Sequence, residues 1–171
     1  MTHEGPRDAT SWTDVHFALF VLVDISTDQI NQILQTSYSG ASLGSWNLWL
    51  ATSYTNAPRK QGDQYTDGTK PPVPKDWNSP FLGKSIPDAV EFMEGLPDES
   101  TVDWHHFVIV GEDYLKSGIV NLCRIGDEEL KGKEVDVLPC SVEHASLTLM
   151  GLEPHGWEEI RSNVEDGFSP I

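Results

Sequence analysis

Residues 105–113, HHFVIVGED, hold four consecutive apolar side chains, Phe107-Val108-Ile109-Val110, and every titratable group of the stretch lies at one of its two ends. Side chains alternate across a strand, so an unbroken apolar run is satisfied only when both faces of its sheet are covered. This stretch therefore reads as a central strand, and it asks for layers packed on either side.

A second run has the same character. In Val15 to Val23, VHFALFVLV, the residues Val15, Phe17, Leu19, Val21 and Val23 share one face while Ala18, Phe20 and Leu22 take the other. Beyond it Ser26 can cap a helix, with Gln29 three residues on to complete a capping box. Ile30, Ile33 and Leu34 supply the apolar stripe as far as about Tyr38, and Ser39-Gly40 reads as the stop. Trp46 to Ser53 is a third strand candidate with aromatic residues on opposite faces, Trp49 among them. Ser85, Pro87 and Asp88 open a helix with a stripe of Ile86, Ala89, Val90 and Met93, ended by Gly95.

After Gly111 the chain turns through Glu112 to Gly118 and extends again over Ile119 to Ile125. That connection is too short for a crossover helix, so the two strands pair antiparallel. Glu134 to Leu138 alternates, with Val135 and Val137 inward and Glu134 and Asp136 outward, the pattern of a strand with a wet face or of an edge. Ser141 and Glu143 begin a helix carrying Val142, Ala145, Leu149 and Met150, and Trp157, Ile160 and Val164 mark a last one. The expected fold is α/β or α+β, a mixed sheet of about five strands with helices packed on it. Residues 1–11 read as a flexible arm and 12–171 as a single globular domain.

One segment fits no period. From 54 to 80 the chain carries Pro58, Pro71, Pro72, Pro74 and Pro80 with Gly62 and Gly68, and reads as one long irregular loop or lid. Tyr54, Tyr65 and Trp77 argue against disorder there. Two readings stand side by side: an ordered lid or partner-binding loop, and a loop merely packed over the sheet.

Charge and motif content narrow the function classes. With 11 Lys+Arg against 27 Asp+Glu the net charge is -16, so neither nucleic acid nor an anionic membrane surface is an expected partner. No stretch approaches the roughly 18 apolar residues of a membrane span, and the polar beginning lacks the plan of a secretion signal, so the expected location is cytoplasmic. Cys123 and Cys140 show no metal spacing and sit in apolar surroundings, which suits small buried hydrophobes. GxGxxG, GxxxxGK[ST], GxSxG, HExxH and EF-hand patterns are all missing, so the expected cofactors are none and the expected metal is none.

What remains is isolated acid/base groups at strand ends. His105 and His106 are candidate general acids or bases at one end of the central strand, and Asp113 lies at the other. Asp24, just past the second apolar run, sits where open α/β sheets bind ligands; loop-ordering is its plainer role. Strand direction decides the grouping. If the first strand lies parallel and adjacent to the central one, Asp24 joins Asp113 and His16 joins the histidines; if antiparallel, Asp24 approaches His105 or His106. Tyr54, Tyr65, Trp77 and Trp49 are the candidate walls of a binding site. His144 and His155 carry no motif, and surface or cap roles suit them.

The strand into Asp24-Ile25-Ser26-Thr27-Asp28, the run Phe107 to Asp113, the segment Gly118 to Ile125 and the ending Val135 to Leu152 resemble, in order, an uncharacterised domain-of-unknown-function family of bacterial and fungal proteins. Asparagines of that family's ending are replaced here by Ala145-Ser146 and Leu149-Met150, and the insert after Tyr54 has no counterpart in it. The resemblance implies the α/β order of elements and brings no activity. Two functions are compatible with these residues. One is a small-molecule-binding domain, extending to a cofactor-independent isomerase, cyclase or lyase that uses acid/base side chains. The alternative is an acidic protein-protein interaction module whose aromatic loop engages a protein partner.

Overall fold

A computed structural model of the chain describes residues 15–61, 64–65, 67–125, 135–152 and 156–165. The arm at 1–11 and His155 lie outside the described residues. The central sheet has five strands in the order β2-β1-β5-β6-β7: β1 is His16–Val21, β2 Leu48–Leu50, β5 Val102–Val110, β6 Ile119–Ile125 and β7 Val135–Ser141. β1 runs parallel to both β2 and β5, while β5, β6 and β7 pair antiparallel. The mixed sheet expected from sequence is thus present, with the apolar run Phe107–Val110 in its middle strand.

Helices cover both faces. On one face α1 (Thr27–Ala41), α4 (Val142–Met150) and α5 (Gly156–Glu165) pack Ile30, Ile33, Leu34, Leu149 and Trp157 against Leu19, Val108 and Leu122. On the other, α2 (Ile86–Glu94) packs Ala89, Val90 and Met93 against Phe20, Phe107 and Cys123. Both capping boxes form. Ser26 accepts from the N–H of Gln29, whose side chain accepts from the Ser26 N–H, and Ser85 and Asp88 repeat the arrangement on α2.

At the heart of the second face Phe20 is fully buried and meets Phe81, Phe92 and Phe107 edge-on, with centroids 4.9, 5.7 and 5.5 Å away. These are the geometries that bring a ring's positive edge onto a neighbour's negative face.

Four sequence expectations change. Helix α1 runs past Gly40 to Ala41 and ends where Ser42 takes a left-handed conformation (φ 54°). Gly40 is a packing residue rather than a stop, because a Cβ there would lie 1.9 Å from the backbone oxygen of Glu143 on α4. The turn at 112–118 contains a short helix, α3 (Glu112–Ser117). Inside the supposedly irregular 54–80 segment, Tyr54–Asn56 forms a turn of 3₁₀ helix, and β3 (Lys60–Gln61) and β4 (Gln64–Tyr65) form a small antiparallel hairpin. Finally, Asp136 is only partly exposed: α5 lies beside it, with Trp157 Nε1 and Arg161 Nε each donating to its carboxylate at 2.6 Å.

Candidate functional site

Because β1 and β5 are parallel neighbours, their carboxyl ends open on the same side of the molecule. Val21 pairs with Val110, and Asp24 and Asp113 each follow three residues later. The parallel case posed by the sequence is the one realised: Asp24 and Asp113 share an end of the sheet, and His16, His105 and His106 share the opposite end. Asp24 and Asp113 are both exposed, and Asn121 Nδ2 on β6 donates to Asp113 Oδ2 at 3.1 Å. The chain leaves β1 for α1 on one face and leaves β2 for α2 on the other. A divergence of this kind is where open α/β sheets form a ligand crevice.

Here the chain itself spans that position. Val73 and Trp77 pack on the α1 face and Phe81 on the α2 face, so residues 73–83 pass over the end of β1 from one layer to the other. Ser79 Oγ donates to the Val21 carbonyl at 2.6 Å, and the Gly83 N–H donates to the Leu22 carbonyl at 3.0 Å. The Val73 N–H donates to Asn31 Oδ1 on α1 at 2.7 Å. Upstream, Gly68 and Thr69 bond the backbone of Trp46, Leu48 and Leu50, so the segment also covers the β2 edge.

The aromatic candidates are dispersed. Trp49 is buried in the α2-side core and Trp77 is half-buried within residues 73–83. Tyr54 stacks on Phe92 with centroids 4.4 Å apart and donates its hydroxyl to the Phe92 carbonyl. Desolvation, with the nearby charge of Glu91, raises the Tyr54 phenol above its ordinary range. The backbone of Tyr65 is in β4, and its side chain lies outside the described set.

The histidine end is built around a residue the sequence reading passed over. The step from His16 to Ala18 on β1 faces the longer step from Val102 to Phe107 on β5, so β5 bulges at 103–106. Asp103 fills the gap in the ladder: its Oδ1 accepts from the N–H groups of His105 and His106 at 2.7 and 3.1 Å and lies 3.4 Å from His106 Nδ1. Burial pushes the Asp103 carboxyl upward, but the hydrogen bond and charge of His106 together with the two backbone N–H groups hold it below the usual carboxylate range. The spacing Asp-x-His-His is the signal that would have found it, since an Asp commonly bonds the backbone N–H two residues on. His105 stacks on Trp104, and the ring of His106 lies 5.8 Å from that of Trp157. His16 is buried, its Nδ1 2.7 Å from Thr101 Oγ1.

The sign of the pH dependence follows from the lowered carboxyl. A carboxylate favoured in the fold contributes stability above its unfolded value near 4, and the contribution fades as pH falls through the folded value. Replacement of Asp103 by alanine is expected to cost about 2–3 kcal/mol at pH 7, two backbone donors losing a charged acceptor. The gap between wild type and variant should narrow below about pH 4. Urea unfolding at pH 7, 5 and 3 checks this, and a constant difference would contradict the assignment.

A cavity of about 10 Å³ between α1, β2 and α4, lined by Ser37, Tyr38, Asn47 and Ser146, has room for about one water. Burial drives the thiols of Cys123 and Cys140 up to about 12, as suits inert core residues. Ser141 Oγ lies 3.1 Å from Nδ1 of His144 in the first turn of α4. Among the described residues no group of three or more His, Cys, Asp or Glu is arranged to hold a metal, and no helix is long and apolar enough to cross a membrane. No protein-family model, curated protein or solved structure matches the chain.

Proposed function

We propose that the chain is a small-molecule-binding domain whose site is the carboxyl-end mouth of β1 and β5, flanked by Asp24 and Asp113. The observation that supports this reading is the parallel pairing of β1 and β5, which sets both exposed carboxylates three residues beyond partnered strand ends, at the side of the sheet where its helix connections diverge. Two carboxyl groups at one mouth suit proton removal and return on a single substrate, which is the chemistry of a cofactor-independent isomerase, cyclase or lyase. At the histidine end Asp103 is committed to the backbone N–H groups of His105 and His106 and closes the bulge of β5, which gives that end a structural role of its own.

The competing role, an interaction module with an aromatic loop, is weakened by how that loop spends its rings. Tyr54 is stacked and hydrogen-bonded, Trp77 leans on the core and Phe81 is buried. Thermal-shift screening of a metabolite-sized library against wild type, Asp24→Asn and Asp113→Asn tests the proposal. Expected are compounds that raise the wild-type midpoint by a few degrees and lose most of that effect in either variant. Compounds indifferent to both substitutions, or none that stabilise wild type, would refute it.

A further inference from the structure

We infer that residues 73–83 form a strap over a cryptic site, opening as a unit, and that the site takes a small aromatic molecule bearing a hydrogen-bond donor. This rests on the small-molecule reading above and adds to it the gate and the ligand's chemistry. The strap presents to the mouth what such a ligand would present. Ser79 and Gly83 offer two donors to the Val21 and Leu22 carbonyls, at 2.6 and 3.0 Å. Both carbonyls lie at and just past the end of β1, and the Leu22 N–H is already committed to the Val110 carbonyl at 3.0 Å. Between the two donors Phe81 inserts its ring, edge-on to Phe20 at 4.9 Å and to Phe92 at 5.2 Å. Withdrawal of the strap leaves two acceptors beside a slot walled by aromatic rings, the complement of a phenol-like molecule.

Several features mark the strap as the separable part. Among the described residues it carries no helix or strand between β4 and α2, and its anchors to the body are one ring, one half-buried tryptophan, Val73 and three hydrogen bonds. Leu82 beside the inserted ring is exposed, and Gly83 takes φ +75°, a conformation in which the chain can turn back out of the core. Segments with few buried contacts open below the free energy of global unfolding. A ligand then competes with the strap, and its apparent affinity falls by the fraction of molecules that are open.

Native-state hydrogen exchange and a phenol titration followed by amide NMR test this together. The amides of Val73, Phe81, Gly83 and Lys84 are expected to share one opening step with a common denaturant slope shallower than that of global unfolding, while those of Leu19 and Val108 exchange only on global unfolding. Phenol should shift Leu22 and Gly83 and bind about fivefold tighter to Ser79→Ala, which removes one strap anchor. Phe81→Ala should bind phenol tighter still. If that variant does not fold, Ser79→Ala alone decides the affinity arm. Exchange of the strap amides together with β1 would overturn the gate. Equal phenol affinity in wild type and Ser79→Ala would overturn the competition between strap and ligand, and no phenol-dependent shift at Leu22 and Gly83 in any variant would overturn the ligand class. Either result leaves the dependence on Asp24 and Asp113 to its own screen.

Discussion

Phe20→Ala is expected to lower stability by about 3–5 kcal/mol, a large share of the roughly 5–15 kcal/mol typical of a whole domain. Its side chain is fully buried, and its ring is the hub on which Phe81, Phe92 and Phe107 converge. The loss combines the transfer of a large apolar surface, a void that three flanking rings cannot close, and edge-to-face contacts worth about 0.5–1.5 kcal/mol each. Phe20→Leu, which keeps most of the volume, should cost clearly less. Urea unfolding followed by tryptophan fluorescence measures both, with the slope unchanged if only the midpoint moves. A loss below about 1 kcal/mol for Phe20→Ala would mean that the ring is not the hub of this layer.

The second large effect is expected at Asp136. Its carboxylate receives Trp157 Nε1 and Arg161 Nε, and Arg161 Nη2 pairs with Oδ1. Trp157 is 2 % exposed, so its indole N–H loses a charged acceptor from a buried position once the carboxylate is gone. Asp136→Ala should therefore cost about 2–3 kcal/mol, with faster amide exchange along α5. The partial exposure of Asp136 and Arg161 keeps the value below that of a fully buried pair. A double-mutant cycle with Arg161→Ala separates the pair from its surroundings: the double variant should lose little more than Asp136→Ala alone. Strict additivity would show that the two residues act independently.

The elements legible in the sequence were those that local chemistry writes down. The capping boxes at Ser26 and Ser85, the apolar runs of β1 and β5 and the stripe of α2 are decided within a few residues, and they appear in the fold as read. What escaped depends on partners distant in the chain. Gly40 looks like a stop until α4 passes within reach of it, and Asp136 looks solvated until α5 arrives. The bulge of β5 depends on its register against β1, and although the local Asp-x-His-His spacing hints that Asp103 is an acceptor, only the ladder shows that it fills a gap between strands. At the mouth, the sequence could name Asp24 and Asp113 as a pair conditional on strand direction. It could not see that residues 79–83 would lie across the same opening, because an irregular segment carries no period that says where it will rest.

Of the two outermost strands of the sheet among the described residues, β7 has a bearing on the company the molecule keeps. A rim strand is a template: its outward amides and carbonyls can recruit another chain, and this is how folded proteins begin to stack into aggregates. In β7 the outward positions alternate, and Arg161 from α5 occupies the Val137 carbonyl at 3.2 Å. The next outward position is Pro139, which has no N–H to offer. A newcomer strand would therefore meet one acceptor already taken and one donor that does not exist. Docking α5 thus also blunts the rim, and with a charge of -16 repelling like copies, the protein is guarded twice against building fibres from its own edge.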